Sequence, residues 1–331
     1  MAVGPSSRRQ PNEEASTALG LTLLIALAFV VFSWAAAGFS SPYNLYALTR
    51  TAALNVLLGL AMMVVIATGG LDLSIGAIGI ASAMFAGYLM QDFRLHMMIA
   101  IVAALCFGGA LGFCNGFVVV FARVHSFIVT LASMSIIFGA MIVLTKAESV
   151  RDLPPAFLAL GKIRWFGYLS PMLMVSVAIG ALIAIMLRWT DLGREILASG
   201  ANSRAATLSG VRVGNRIITV HALSGVLAAI AGIMLSIRNG AMVPSMAGNL
   251  GQEWLLPAFL APVLGGTLLS GGRAWVVTTV LAAFLVTELT NGMLLMSIGE
   301  FWVQFALGSV LLLAVLLEKG RSTLMGTVEG V

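Results

Sequence analysis

Few side chains in this chain can do acid, base or ligand chemistry, and most of those few stand inside or at the ends of long apolar runs. Glu288 is the single carboxylate well inside one, in Leu285-Val286-Thr287-Glu288-Leu289-Thr290-Asn291. Thr287 and Asn291 are four apart and share a helical face, so the group can line a wet pathway and offer hydrogen bonds to a polyhydroxylated solute, or form a satisfied contact between helices. Asp72, in Gly69-Gly70-Leu71-Asp72-Leu73-Ser74-Ile75-Gly76, lies where one apolar run gives way to the next. It can cap a half-helix beginning near Ser74, or bind an ion. His221 and Glu253 fall near the ends of runs and read as interfacial residues.

Nothing here assembles into an enzyme site. His96, His125 and His221 stand apart in sequence, and Cys106 and Cys114 lie in one apolar segment. Eight residues of helix separate those cysteines by roughly 12 Å, too far for a disulfide, so neither a disulfide nor a metal site is expected. The lysines Lys146, Lys162 and Lys319 follow no phosphate-cradling glycine pattern. If ATP drives this protein, another chain binds it.

The elements that must hold these residues are membrane spans. With 60% hydrophobic and 9% charged residues and a mean hydropathy of +1.04, against about 25% charged in an average soluble chain, there is too little polar surface to coat a soluble globule. Apolar runs occur at about 19–39, 51–68, 74–91, 96–121, 126–145, 167–187, 217–237, 253–270, 274–296 and 301–317, near the length a helix needs to cross a bilayer. The expected fold is an all-α polytopic transmembrane helical bundle of about ten spans. The second, third and eighth runs are short or glycine-broken, which predicts re-entrant or discontinuous helices. A weak internal repeat supports a duplicated core: 69–76 matches Gly265-Gly266-Thr267-Leu268-Leu269-Ser270-Gly271-Gly272 at five of eight places. Gly108, Gly112 and Gly116, like Gly79, Ala83 and Gly87, keep a helical spacing that lets backbones approach closely in lipid.

Placing the N-terminus inside puts Arg8, Arg9, Arg123, Arg188, Arg194, Arg204, Arg212, Arg216, Arg273, Lys319 and Arg321 in the cytoplasm. Arg50, Arg94, Lys146, Arg151, Lys162, Arg164 and Arg238 then lie outside. That is 11 of 18 basic residues on the inner side, so the net charge of +5 reports orientation and not nucleic-acid binding. Residues 1–18 and 318–331 read as cytoplasmic tails around a permease domain at 19–317.

The stretch 188–216 is the one markedly polar and basic interruption between long apolar runs, with five arginines against Asp191 and Glu195 and glycines at 193, 200, 210 and 214. Asp191 is expected to cap a helix over 192–199 stopped by Gly200, and Asn202 or Ser203 a second over 204–209 stopped by Gly210. Helices this short are marginal alone. Ile196, Leu197, Ala205, Ala206 and Leu208, rimmed by arginines, suit insertion into a groove on a cytoplasmic partner.

Asp191-Leu192-Gly193-Arg194-Glu195-Ile196-Leu197-Ala198-Ser199-Gly200-Ala201-Asn202, continuing through Ala205-Ala206-Thr207-Leu208-Ser209-Gly210-Val211-Arg212-Val213, resembles the coupling loop of ribose-type sugar ABC transporter permeases. Residues 69–76 are similar to that family's GGIDLSVG motif, Phe127-Ile128-Val129-Thr130-Leu131-Ala132-Ser133-Met134 to FIVTLGTM, and 264–273 to GGTSLSGGRG. The resemblance runs from about residue 50 to 317 in the family's order; His125-Ser126 replaces a frequent proline pair, and 198–202 departs from AIGGN. It implies a permease subunit of the bacterial inner membrane with both termini cytoplasmic. A separate ATPase would hold ATP and Mg, with no cofactor on this chain. A periplasmic binding protein would deliver a monosaccharide, and a second copy or a paralogue would complete the pair in the bilayer. The alternative is an ion-coupled secondary transporter, which calls for a carboxylate or histidine relay across several spans.

Overall fold

The computed structural model describes residues 10–244 and 253–326, and the described residues are mostly helical and contain no strand. In chain order the helices are α1 (Gln10–Ala35), α2 (Pro42–Ile66), α3 (Ile75–Gln91), α4 (Met97–Ala122), α5 (Ser126–Thr145), α6 (Pro155–Leu160), α7 (Pro171–Trp189), α8 (Asp191–Ala201), α9 (Ser203–Leu208), α10 (Val213–Asn239), α11 (Leu255–Leu264), α12 (Val276–Leu295) and α13 (Glu300–Gly326). Seven of these are long and apolar enough to cross a membrane, and α3, α11 and the apolar part of α13 are shorter. The helical bundle is as expected, and these ten helices match the ten runs.

The second run is the exception in detail. It is not short: α2 starts at Pro42, where Ser41 accepts a hydrogen bond from the Asn44 amide and proline occupies the first turn. Asn44, Thr49, Arg50 and Asn55 hide this start from a hydropathy reading, and both asparagines are bonded by a neighbouring helix. Asn44 exchanges side-chain bonds with Asn291 at 2.9 and 3.1 Å, and Asn55 donates to the Thr287 hydroxyl at 2.8 Å. The eighth run is a half-helix as expected. The ten residues of α11 rise about 15 Å, half a hydrocarbon core. At the ends, α1 begins at Gln10, inside the expected tail, and α13 continues to Gly326. Arg8 and Arg9 lie outside the described residues.

The bundle is built around α2, whose residues 56–66 are all buried. It packs on α7, α10, α11 and α12, and Leu57, Met62, Met63 and Ile66 join Ile75, Ile78, Leu227, Trp254, Ala261 and Ala283 in the main core. Lipid tails are as apolar as leucine, so close approach rather than water exclusion must hold the helices. The glycine spacing supplies that approach. Gly108, Gly112 and Gly116 of α4 lie against the backbone of α10 around Gly225, His221 and Ile218, and Gly79 of α3 lies against Gly232. Outward, Leu27 and Val30 of α1, Val102 and Phe121 of α4, Ile136 and Val143 of α5 and Phe305 and Leu312 of α13 are exposed, a surface suited to acyl chains. Trp34, Trp189 and Trp302 are exposed near helix ends, where aromatic rings meet headgroups.

A helical pair clamped by two glycine loops

The polar interruption folds into α8 and α9. Thr190, not Asp191, is the N-cap of α8: its extended backbone breaks from α7, and its hydroxyl accepts from the Gly193 amide at 3.2 Å. Asp191 instead sits in the first turn, exposed and paired with Arg194, where its charge suits the helix dipole. Gly200 does not stop the helix, which runs to Ala201. Asn202 caps α9 as expected, its side-chain oxygen accepting from the Ala205 amide at 2.9 Å. After Leu208 the chain turns through Gly210 at φ +88°.

The pair does not stand off the bundle. Gly193 lies directly on the backbone of Met186 and Leu187 in α7, with no room for a Cβ. Ile196, expected among the outward anchors, is fully buried in the core around α2, with Leu197 packed against it. A partly buried ion pair from Glu195 to Arg216, 2.6 Å long, ties α8 to α10. Ala206 is buried as well, so the outward surface includes Arg194, Ala198, Arg204, Ala205 and Leu208, the last 85% exposed. The amphipathic pattern of α8 marks which side it docks inward, and the expected partner groove is in part its own bundle.

At the C-terminal end of α8 the two glycine motifs meet. The loop 67–74 follows α2 and the loop 265–275 precedes α12. A Cβ on Gly200 would meet the Ala67 carbonyl oxygen and the Gly272 nitrogen, and the Gly272 amide itself donates to the Ala67 carbonyl at 3.0 Å. Gly69, Gly266 and Gly272 all take positive φ. Gly69 lies beside the Ser270 carbonyl, and Gly272 lies on Ala201. Gly265 offers its carbonyl to the Thr278 hydroxyl at 2.5 Å. Thus the weak sequence echo becomes a three-way contact of backbone on backbone.

Behind the first loop sits a buried polar network. Asp72 has no exposed surface; one carboxylate oxygen accepts from the Ser74 amide at 3.0 Å and its hydroxyl at 2.5 Å, the other from Ser224 of α10 at 2.8 Å. Asn115 of α4 donates to the Ser74 hydroxyl at 2.8 Å. Gly70 abuts Ser126, whose hydroxyl accepts from the Leu71 amide, and Gly76 is buried in the first turn of α3. Asp72 therefore fixes the entrance to α3 through Ser74 while pinning the loop to α4 and α10. Ser224, which bonds Asp72, and Asn115, which bonds Ser74, carry no sequence signal, being 152 and 41 positions from their partners.

Thr287, Glu288 and Asn291 do not converge. Thr287 and Asn291 face α2 through Asn55 and Asn44. Glu288 is fully buried with neither oxygen bonded; one turn to either side, Phe284 and Gly292 lie against Phe32 of α1.

A family model described as branched-chain amino acid transport system / permease component matches residues 44–317. The ribose import permease protein of Bacillus subtilis (strain 168) is 33% identical over 307 residues, covering 92% of each chain. The xylose transport system permease protein of Escherichia coli (strain K12) is 30% identical over 371 residues, covering 91% of this chain and 92% of its own. The L-arabinose ABC transporter permease protein of Azospirillum brasilense is 29% identical over 321 residues, covering 97% and 93%. No solved structure matches the chain.

Proposed function

The chain belongs to the ribose-type family of ABC transporter permeases, and from that membership we propose that it is the multi-pass subunit through which an ABC importer moves a monosaccharide. The observation that carries this reading is likeness over nearly the full length of permeases named for ribose, xylose and L-arabinose. We assign ATP and Mg to a separate cytoplasmic ATPase that grips the outward side of α8 and α9. A soluble binding protein delivers the sugar on the opposite face, and a second copy or a paralogue completes the pathway. The protein resides in the bacterial inner membrane with both ends of the chain on the ATPase side.

Transmission follows from the clamp. Gly193 and Gly200 hold α8 at both ends on backbone, which yields less than flexible side chains do. A push on α8 therefore passes into the loops 67–74 and 265–275, and from them into the end of α2 and the start of α12. Alternating access then follows as a population shift between two bundle arrangements. An ion-coupled carrier would need a relay of open titratable groups across several spans; both Asp72 oxygens are already occupied by Ser74 and Ser224, which leaves Glu288 as the one open buried carboxyl among the described residues.

The test is uptake of labelled ribose, xylose or L-arabinose into proteoliposomes holding this chain. Accumulation is expected only with the ATPase, ATP and a soluble binding protein all present. Uptake by the chain alone under an ion gradient would sink the proposal.

A further inference from the structure

At the end of the bundle opposite α8, four basic side chains line one open pocket of about 620 Å³: Arg50 of α2, Lys162 and Arg164 beyond α6, and Arg238 at the end of α10. The three arginines are held in place. Arg50 and Arg164 lie over the Tyr46 ring, 5.3 and 4.6 Å from its centre. The Tyr46 hydroxyl donates to the Gly161 carbonyl at 2.7 Å, Arg50 donates to the Arg238 carbonyl at 2.7 Å, and Arg238 donates to the Thr51 hydroxyl at 3.2 Å.

Among the described residues their charge is not balanced. The ion pairs among the described residues are Arg94–Asp152, Arg194–Asp191, Arg216–Glu195 and Arg273–Glu13, and none includes a residue of this pocket. The Arg50 Nε is buried with no acceptor. Among the described residues every fixed contact to these guanidinium groups comes from a neutral carbonyl, hydroxyl or ring, which orders them without supplying the anion they attract. Beside Arg164, Trp165 and Phe166 are 47% and 83% exposed, and arginine with exposed aromatics is the composition of a protein-docking hot spot. The site stands over α2, which α7, α10, α11 and α12 surround. That places it over the centre of the bundle, whereas lipid reaches the outer faces of α1, α4, α5 and α13.

We propose that this pocket receives carboxylate side chains of the soluble protein that delivers the sugar. Guanidinium groups preset in this way bind carboxylates by paired, charge-assisted hydrogen bonds. The proposal rests on the delivery reading above.

The test measures binding of the soluble protein that supports uptake in that assay to the permease–ATPase complex in nanodiscs. Lys162→Glu with Arg164→Glu is expected to weaken binding by at least about tenfold and to flatten its dependence on ionic strength. Both positions are exposed and outside the helices; co-purification of the ATPase checks assembly. If the reversal fails to assemble, Lys162→Gln with Arg164→Gln is expected to give a smaller loss in the same direction. Unchanged affinity in an assembled variant overturns the proposal. Comparing nanodiscs of phosphatidylcholine with nanodiscs containing phosphatidylglycerol tests the other source of anions. A phosphatidylglycerol requirement that the reversal removes, with affinity for the soluble protein unchanged, assigns the pocket to lipid and overturns it too. Uptake that needs no soluble protein removes the delivery reading and this proposal together; uptake that needs it, with binding blind to the reversal, removes this proposal alone.

Discussion

A carboxylate with no exposed surface is tolerable at residue 72 because three donors converge on it: the Ser74 amide and the hydroxyls of Ser74 and Ser224. Hydrogen bonds to a charged acceptor are worth about 1.5–3 kcal/mol each, and stranding the donors adds a desolvation cost. Asp72→Ala is therefore expected to destabilise the protein by about 3–5 kcal/mol, read as a lower unfolding temperature in detergent. Asp72→Asn should cost clearly less, since the amide oxygen can still serve Ser74 and the Ser224 hydroxyl can turn to accept; equal losses would remove the three-donor account. Glu288 presents the opposite case, a buried carboxyl with no bonded oxygen. Glu288→Gln keeps its shape and is expected to hold stability within about 1 kcal/mol and to leave sugar uptake unchanged. Loss of uptake at unchanged stability would put the carboxyl on the solute route.

At the scale of elements, α8 has two working faces, and separate substitutions read them. Arg194 is outward, its side chain 62% exposed; Arg194→Glu is expected to abolish co-purification of the ATPase while the permease still inserts. Gly200 is inward, and Gly200→Ala sets a methyl against the Ala67 carbonyl and the Gly272 amide. The expected result is an ATPase that still binds while uptake falls by about tenfold or more, as for a misplacement remote from the working site. Normal uptake would show the clamp to be dispensable. Much of this was legible beforehand. Hydropathy located the spans, composition isolated 188–216, and the repeated glycine motif pointed to two related loops. What a linear pattern cannot contain is which neighbour satisfies a polar residue. Asn44 and Asn291 are 247 positions apart, so the start of α2 falls outside the apolar run, and the sequence leaves open whether Asn291 lines a pathway or bonds between helices. Ile196 looked like an outward anchor because amphipathicity fixes a face without saying what covers it.

For the whole molecule, the two ends of the bundle carry different chemistry, and orientation is open to direct test. With Cys106 and Cys114, both exposed on α4, replaced by serine, Leu208→Cys and Ile163→Cys should react with an impermeant maleimide from opposite sides, Leu208→Cys from the ATPase side. Labelling of both from one side would overturn the assigned topology. Two helices join these ends without a break. The helix α2 starts beside Tyr46 and Arg50 and ends on the loop that meets Gly200; α10 starts after α9, bonds to Glu195 through Arg216, and carries Arg238 in its last turn. Each is about 40 Å of continuous rod at 1.5 Å per residue. Thermodynamics then imposes a symmetry on the machine: whatever factor ATPase attachment contributes to affinity at the basic pocket, occupancy of that pocket must return to the affinity for the ATPase.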